Sequence, residues 1–295
     1  MKILLPQMHP GFTCMLCRCQ HQFFVRRGLN DFPGDQWKDN IRPKPENLTF
    51  VGKDFTGPVD VAVTVGGRDL PPPGVPYVYL QLWDSAPAMD PVAHDARAKV
   101  FLSEEVEWMM RADFDARSHV IEYGISPDEF GGWKGGGAVV AVGHHLRGRG
   151  DKGYWNLAAI ARRVDVLVLG YGNDELPGHT FLDDYDLYKT ALQSASVFLN
   201  PSNWVPQSAA EAMMMGMPVV QFDPLNYREL FEDKVTCRVV STPMEAVDRI
   251  IDFQNDTARA GRIGACARAR ASEWFNARRF VAQWHNVFRR VKEGS

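Results

Sequence analysis

Residues 195–223 (ASVFLNPSNWVPQSAAEAMMMGMPVVQFD) constrain the fold more than any other part of the chain. Their pattern predicts a buried strand over Ala195–Asn200, a polar turn over Pro201–Pro206 and a helix carrying Glu211. A stop at Gly216 and a second buried strand over Pro218–Asp223 follow. Two apolar strands joined through a helix pair in parallel, and a parallel sheet needs helices on its faces. Such sheets bind nucleotides and phosphates where the carboxyl end of a strand opens onto a helix N-terminus. Here the first helical residues are Gln207 and Ser208, whose backbone N–H groups are left to face an anion. Glu211 follows one turn later, where a carboxylate can meet the diol of a sugar. That combination suits a nucleotide sugar.

Short apolar runs alternate with helical patterns along the chain, which predicts an α/β protein with parallel, Rossmann-like sheets. Early strands are expected at Lys2–Leu5, Val59–Val65, Tyr77–Leu82, Lys99–Leu102 and His119–Tyr123. Helices are expected from the His9-Pro10-Gly11 loop to about Arg27, over Asp90–Ala98 and over Glu104–Arg111. Residues 30–58, rich in Pro, Asp, Asn and Gly, read as irregular. The glycine-rich run 131–137 (GGWKGGG) is the expected joint between two lobes, residues 1–130 and 138–277. Beyond it come strand Ala138–Val142, a helix to Arg163, strand Val164–Leu169, a helix over Tyr185–Ser194 and the segment above. Two amphipathic helices, Ala258–Phe275 and Arg278–Lys292, close the chain.

At 295 residues and 45% hydrophobic content, the chain is long enough to bury two cores. Its net charge of −3 gives no global attraction to nucleic acid or to an anionic membrane. Residues 1–130 hold 13 Lys and Arg against 18 Asp and Glu; the remainder holds 20 against 18, so phosphate is better served by the second lobe. No apolar run approaches the length of about 18 residues that a membrane span requires. The opening MKILLP reads as a core strand rather than a signal peptide, and five cysteines without an extracellular signature point to a reducing cytoplasm.

Cys14, Cys17, Cys19 and His21 form C-x-x-C-x-C-x-H, a spacing that invites zinc. The surrounding MLCRCQHQFFVRR reads as helical, which scatters Cys19 and His21 off the face shared by Cys14 and Cys17, and no metal is expected. Met213, Met214 and Met215 read as core, as do Tyr188 and Phe198; Trp204 is placed to stack on a base or sugar.

The pattern NPS…EAM…G.PVV resembles the donor-binding segment of retaining glycosyltransferases with the two-lobed GT-B fold, the family 4 (group 1) type in particular. VAVGHHLRGRGDKGYWNLAAIA resembles the family's strand, basic loop and Lys-Gly helix start; VIEYGISPDEF and KVFLSEE resemble segments of its first lobe. ARARASEWF and Trp284 resemble its tail, so residues 278–295 are expected to pack back on the first lobe. The resemblance implies two Rossmann-like lobes with parallel sheets facing across a cleft, the second binding the nucleotide and the first the acceptor. It implies a hexosyl- or pentosyltransferase that retains anomeric configuration, uses a UDP- or GDP-type donor, and needs neither cofactor nor metal.

By the same resemblance Glu211 holds the ribose hydroxyls, and in the loop that starts at Gly143, Lys152 and one of the two arginines, Arg147 or Arg149, grip the pyrophosphate. Cations there would stabilise the charge that builds on the leaving diphosphate, Arg by two-point contact and Lys as a point charge. The family's arginine after the glycine is His144 here, and its sugar-side glutamate is Asn203, which leaves that contact to Asn203 or Gln207. Asp84, at the end of the Tyr77–Leu82 strand, is the candidate for orienting or deprotonating the acceptor hydroxyl; capping the next helix is its other reading. Gly11, with His9 beside it, is placed for a close approach to the donor; His94 is a lesser candidate. The acceptor is a glycan, a small molecule or a modified DNA base, the last disfavoured by the acidic first lobe. A catalytically inactive nucleotide-sugar binding module is the main alternative; an epimerase or phosphorylase of the same fold is a third.

Overall fold

The computed structural model describes residues 1–27, 42–65, 70–81, 91–103, 115–148, 152–182 and 184–294. The helix expected over Glu104–Arg111 lies outside them. The chain divides into two compact units, residues 1–124 with 277–295, and residues 125–276.

The first unit is built on seven strands: β1 (Lys2–Leu5), β2 (Gln22–Arg26), β3 (Leu48–Val51), β4 (Val61–Val65), β5 (Tyr77–Gln81), β6 (Ala98–Phe101) and β7 (Ser118–Val120). They lie in the order β3-β2-β1-β4-β5-β6-β7, every pair parallel. Helix α1 (Pro10–Cys17) follows β1, and α2 (Pro91–Asp95) precedes β6. Continuous runs such as Ile3–Leu5 in β1 and the whole of β6 are buried, as strands covered on both faces must be.

The structure corrects the helix expected to reach Arg27. It stops at Cys17, the chain reverses through Gln20 at φ 57°, and QFFVR runs as β2 with Phe23 and Val25 inward. Alternating apolar residues beside β1 bury more as a strand than as a further turn of helix. Cys17 and Cys19 enter the hydrophobic core, where burial pushes both thiols up, Cys19 to about 12. Among the described residues no group of three metal-ligating side chains gathers. The stretch read as irregular also contains β3, which is paired along its length with β2.

The C-terminal helix Ala277–Glu293 belongs to this first unit. Phe280, Trp284, Val287, Phe288 and Val291 form its buried stripe, at the three- and four-residue spacing of an amphipathic helix. Phe12 of α1 meets Phe280 and Trp284 edge-on, with ring centroids 6.0 and 6.3 Å away.

The second unit has six parallel strands, β8 (Val139–Val142), β9 (Val166–Leu169), β10 (His179–Thr180), β11 (Phe198–Asn200), β12 (Val219–Phe222) and β13 (Arg238–Val240). Their order is β10-β9-β8-β11-β12-β13. Helices α3 (Tyr154–Ile160), α4 (Tyr185–Ser194), α5 (Gln207–Met215), α6 (Pro243–Asn255) and α7 (Thr257–Trp274) complete it. Helix α6 opens on the capping-box sequence Thr242-Pro243-Met244-Glu245. Thr242 Oγ1 accepts from the Glu245 N–H at 3.2 Å, and Glu245 Oε2 accepts from the Ser241 N–H at 2.8 Å.

The glycine-rich run 131–137 lies inside the second unit, and the chain passes between units at 124/125 and 276/277. The run is tied down by its own backbone: Trp133 N–H donates to Met215 O (2.8 Å), Lys134 N–H to Gln193 O (2.9 Å) and Gly137 N–H to Ser194 O (2.7 Å). Trp133 Nε1–H adds a bond to Ala195 O at 2.7 Å. Glycine permits the tight path here rather than a loose one. Met213, Met214 and Met215 are core, and Gly216 ends α5 at φ 80°.

Candidate functional site

Strand order in the second sheet reverses at β8, with β9 on one side and β11 on the other. The carboxyl ends of β8 and β11 flank that switch point, where open α/β sheets hold their ligands. After β8 come Gly143, a 3₁₀ turn at Leu146–Gly148 carrying exposed Arg147, and then Lys152, Gly153 and α3. After β11 come the Pro201–Pro206 turn and α5.

The two connections touch. Gly153 stands at φ 73°, and a Cβ built on it would lie 2.0 Å from the Pro201 carbonyl oxygen. Asn156 Nδ2 donates to that same oxygen at 3.0 Å. The basic loop and the turn before α5, recognised separately in the sequence, therefore form one surface. Arg149 and Asp84 lie outside the described residues.

Buried amides brace the turn. Asn200 Nδ2 donates to Trp204 O (2.8 Å) and Gln221 Oε1 (2.7 Å), Gln221 Nε2 donates to Ser202 O (2.8 Å), and Asn226 Oδ1 accepts from the Val205 N–H (2.8 Å). The turn is consequently a fixed shape rather than a loose connection. Helix α5 then begins at Gln207 with Pro206 at its N-cap, and no side chain caps it. The Gln207 and Ser208 N–H groups stand at the positive end of that helix.

Glu211 is 3% exposed. Gln207 Nε2, one turn earlier, donates to its Oε1 at 2.7 Å, and the Tyr188 hydroxyl on α4 donates to its Oε2 at 2.8 Å. A carboxylate this buried is kept by such donors. Tyr188, expected to be core, instead holds the site carboxylate; no local motif marks that role beyond the pair Tyr185 and Tyr188 on one face of α4. Asn203 is exposed, and its Nδ2 donates to Asp223 O at 2.7 Å. Gln207 and Asn203, the alternative candidates for the sugar side, turn to Glu211 and to the backbone respectively. Trp204 is half-buried in the turn.

His144 occupies the family's arginine position without supplying a charge. Its ring stacks on Tyr171 at 4.1 Å, its Nδ1 accepts from the Tyr171 N–H at 3.2 Å, and burial together with His145 lowers it to about 4. Asn173, fully buried, accepts from the Leu146 N–H (2.9 Å) and donates to Gly143 O (2.8 Å), which fixes the path leading to Arg147. In the first unit Gly11 is buried near the start of α1, and its N–H donates to His9 Nδ1 at 3.2 Å. His94 is exposed beside Asp95.

Two Rossmann-like units with these parallel sheets define the GT-B architecture of glycosyltransferases. Residues 148–256, within the second unit, match the family model described as glycosyl transferases group 1. The fold is shared with sucrose-phosphate synthase (tll1590) from Thermosynechococcus elongatus, at 14% identity and a TM-score of 0.73 over 100% of both chains. It is also shared with Alr3699/HepE of Anabaena in complex with UDP and glucose, at 16% identity and a TM-score of 0.71 over 98% of this chain and 99% of that one. A third similar structure is AviGT4, described as a glycosyltransferase involved in avilamycin A biosynthesis, at 15% identity and a TM-score of 0.65 over 100% and 98%. No protein of curated function matches by sequence. Among the described residues no helix is long and apolar enough to cross a membrane.

Proposed function

We propose that this chain is a hexosyl- or pentosyltransferase that moves a sugar from a nucleoside diphosphate to an acceptor hydroxyl, with retention and without a metal or cofactor. The observation that carries it is Glu211, buried one turn into α5 and held by Tyr188 and Gln207, on a helix whose preceding turn is fitted against the segment bearing Lys152. Glu211 accepts from the ribose diol, and the head of α5 with Arg147 and Lys152 takes the diphosphate. These cations stabilise the leaving group in place of a divalent ion. Retention rests on the resemblance to family 4 enzymes. With no nucleophile assigned, it proceeds by front-face attack, the departing phosphate oxygen taking the proton of the acceptor hydroxyl as the new glycosidic bond forms.

A uridine base is favoured by the UDP bound in the HepE structures, with guanosine as the other candidate. The first unit serves the acceptor, a glycan or small molecule. A reducing cytoplasm suits its five cysteines, none of which forms a disulfide.

One observation favours a second reading, a nucleotide-sugar binding module without turnover: Asn203 replaces the sugar-side glutamate and spends its amide on Asp223 O. Hydrolysis of the donor in the absence of acceptor would decide for the enzyme. The donor site itself is tested by thermal shift against nucleoside diphosphates and their sugars. At about 100-fold excess over Kd the expected gain is about 2.7 kcal/mol, lost in Glu211→Ala. Stabilisation by none of them would remove the donor-site assignment.

A further inference from the structure

A carboxylate that accepts from a vicinal diol must present both oxygens in one plane, and a long side chain such as glutamate does not hold that plane unaided. In this protein two donors from different elements set it. Gln207 reaches Oε1 from within α5, and Tyr188 reaches Oε2 from α4. A carboxylate offers about four accepting positions, two on each oxygen. Anchors from two elements, one on each oxygen, fix the direction in which the carboxylate faces a diol.

Tyr188 is itself held. Its ring stacks on Tyr185 with centroids 6.0 Å apart and planes 15° from parallel, and the Tyr185 hydroxyl donates to Glu129 Oε1 at 2.5 Å. Helix α4 that bears both rings is capped by Asp184, whose Oδ1 accepts from the Leu187 N–H at 2.9 Å. The phenol therefore arrives at Glu211 on a rigid support, and a tyrosine has few torsions to lose in doing so.

We propose that Tyr188 is a positioning residue that aims Glu211 at the ribose 2′- and 3′-hydroxyls and so sets a preference for ribonucleoside over 2′-deoxyribonucleoside diphosphates. The inference rests on the donor-site reading. A 2′-deoxyribose has one hydroxyl where ribose has two, and leaves one oxygen of the aimed carboxylate without its partner. Removing the Tyr188 hydroxyl frees the carboxylate to turn, which costs the ribonucleotide its two-point contact and the deoxynucleotide much less.

Calorimetric titration with UDP, GDP and their 2′-deoxy counterparts tests this. The wild-type protein is expected to bind one ribonucleotide about tenfold more tightly than its deoxy form, the factor one hydrogen bond to a charged group supplies. In Tyr188→Phe the ratio should fall towards one through weaker ribonucleotide binding, whereas Tyr185→Phe, which keeps the stacked ring, should preserve it. The double variant Glu211→Ala/Tyr188→Phe should lose no more ribonucleotide affinity than Glu211→Ala alone, because Tyr188 acts through Glu211.

A wild-type ratio near one overturns the proposal without any variant. So does an unchanged ratio in Tyr188→Phe, or an equal loss for both nucleotides, the mark of a merely structural tyrosine. If the wild-type protein binds neither UDP nor GDP, the donor-site reading falls and takes the proposal with it. Nucleotide binding that depends on Glu211 but not on Tyr188 sinks the proposal alone.

Discussion

The carbonyl oxygen of Pro201 sits where a Cβ on Gly153 would have to be, 2.0 Å from it, and accepts a hydrogen bond from Asn156 at 3.0 Å. The close fit joins the loop bearing Lys152 to the turn that launches α5. Gly153→Ala adds an atom where none fits, at a φ that L side chains rarely adopt. It should destabilise the second unit by about 1–3 kcal/mol. It should also weaken UDP or GDP binding, because the loop can relieve the clash only by moving off the turn. Urea unfolding with a parallel nucleotide titration checks both; wild-type behaviour in each would mean the contact yields freely.

Lys152 precedes that glycine and is assigned to the diphosphate. Lys152→Ala is expected to weaken nucleoside diphosphate binding about tenfold, the scale of one charge-assisted contact. The free nucleoside should bind equally to both proteins, and the salt dependence of diphosphate binding should become shallower. A matching loss for nucleoside and diphosphate would place Lys152 elsewhere in the site.

Buried imidazoles make stability depend on pH, His144 and His21 more strongly than His119, which burial and Arg290 also lower. Burial lowers His144 to about 4, with His145 adding to the effect. It also lowers His21 to about 4, where the N-terminal ammonium and His285 reinforce it and Asp60 opposes it. An unfolded imidazole takes up its proton near pH 6.5, so between pH 6.5 and 4 the unfolded chain binds protons that the folded chain refuses. Stability contributed by these groups is whole above pH 6.5 and declines as pH falls through that window. Thermal unfolding from pH 7.5 to 4.5 should show the decline. His144→Asn, which keeps an acceptor for the Tyr171 N–H, and His21→Phe, which keeps a ring, should each flatten it. Slopes unchanged in both variants would show that other groups govern the response.

Trp284 is fully buried on the C-terminal helix, and its Nε1 has no partner among the described residues. Its value is therefore apolar contact with Phe12, Phe280 and Phe288. Trp284→Ala should cost about 3–5 kcal/mol, and Trp284→Phe much less, since no hydrogen bond is lost. Chemical denaturation followed in the first unit distinguishes them; equal losses would point to a hidden polar role for the indole.

Local patterns in the chain determined the parallel α/β architecture, most helices and the strands buried on both faces, because apolar runs and caps act over a few residues. Helix α4 was legible to its ends, and so was the turn that leads into α5 and Glu211. Strands β3, β10 and β13 were not. They are two to four residues long and carry too little periodicity of their own; what makes them strands is the ladder offered by a neighbour already in place.

For β2 the sequence was ambiguous, since QFFVR suits a helix face until β1 lies beside it and pairs Ile3 with Phe23. The glycine-rich run was open in the same way: its composition permits a hinge, and backbone bonds to Gln193, Ser194 and Met215 made it a strap. In the site, the carboxylate and the basic loop were readable as motifs. That they share one surface, that His144 is neutral, and that Tyr188 grips Glu211 were decided by tertiary structure. Each depends on elements far apart in the chain being brought within hydrogen-bond distance, where burial sets charge and a second anchor sets direction.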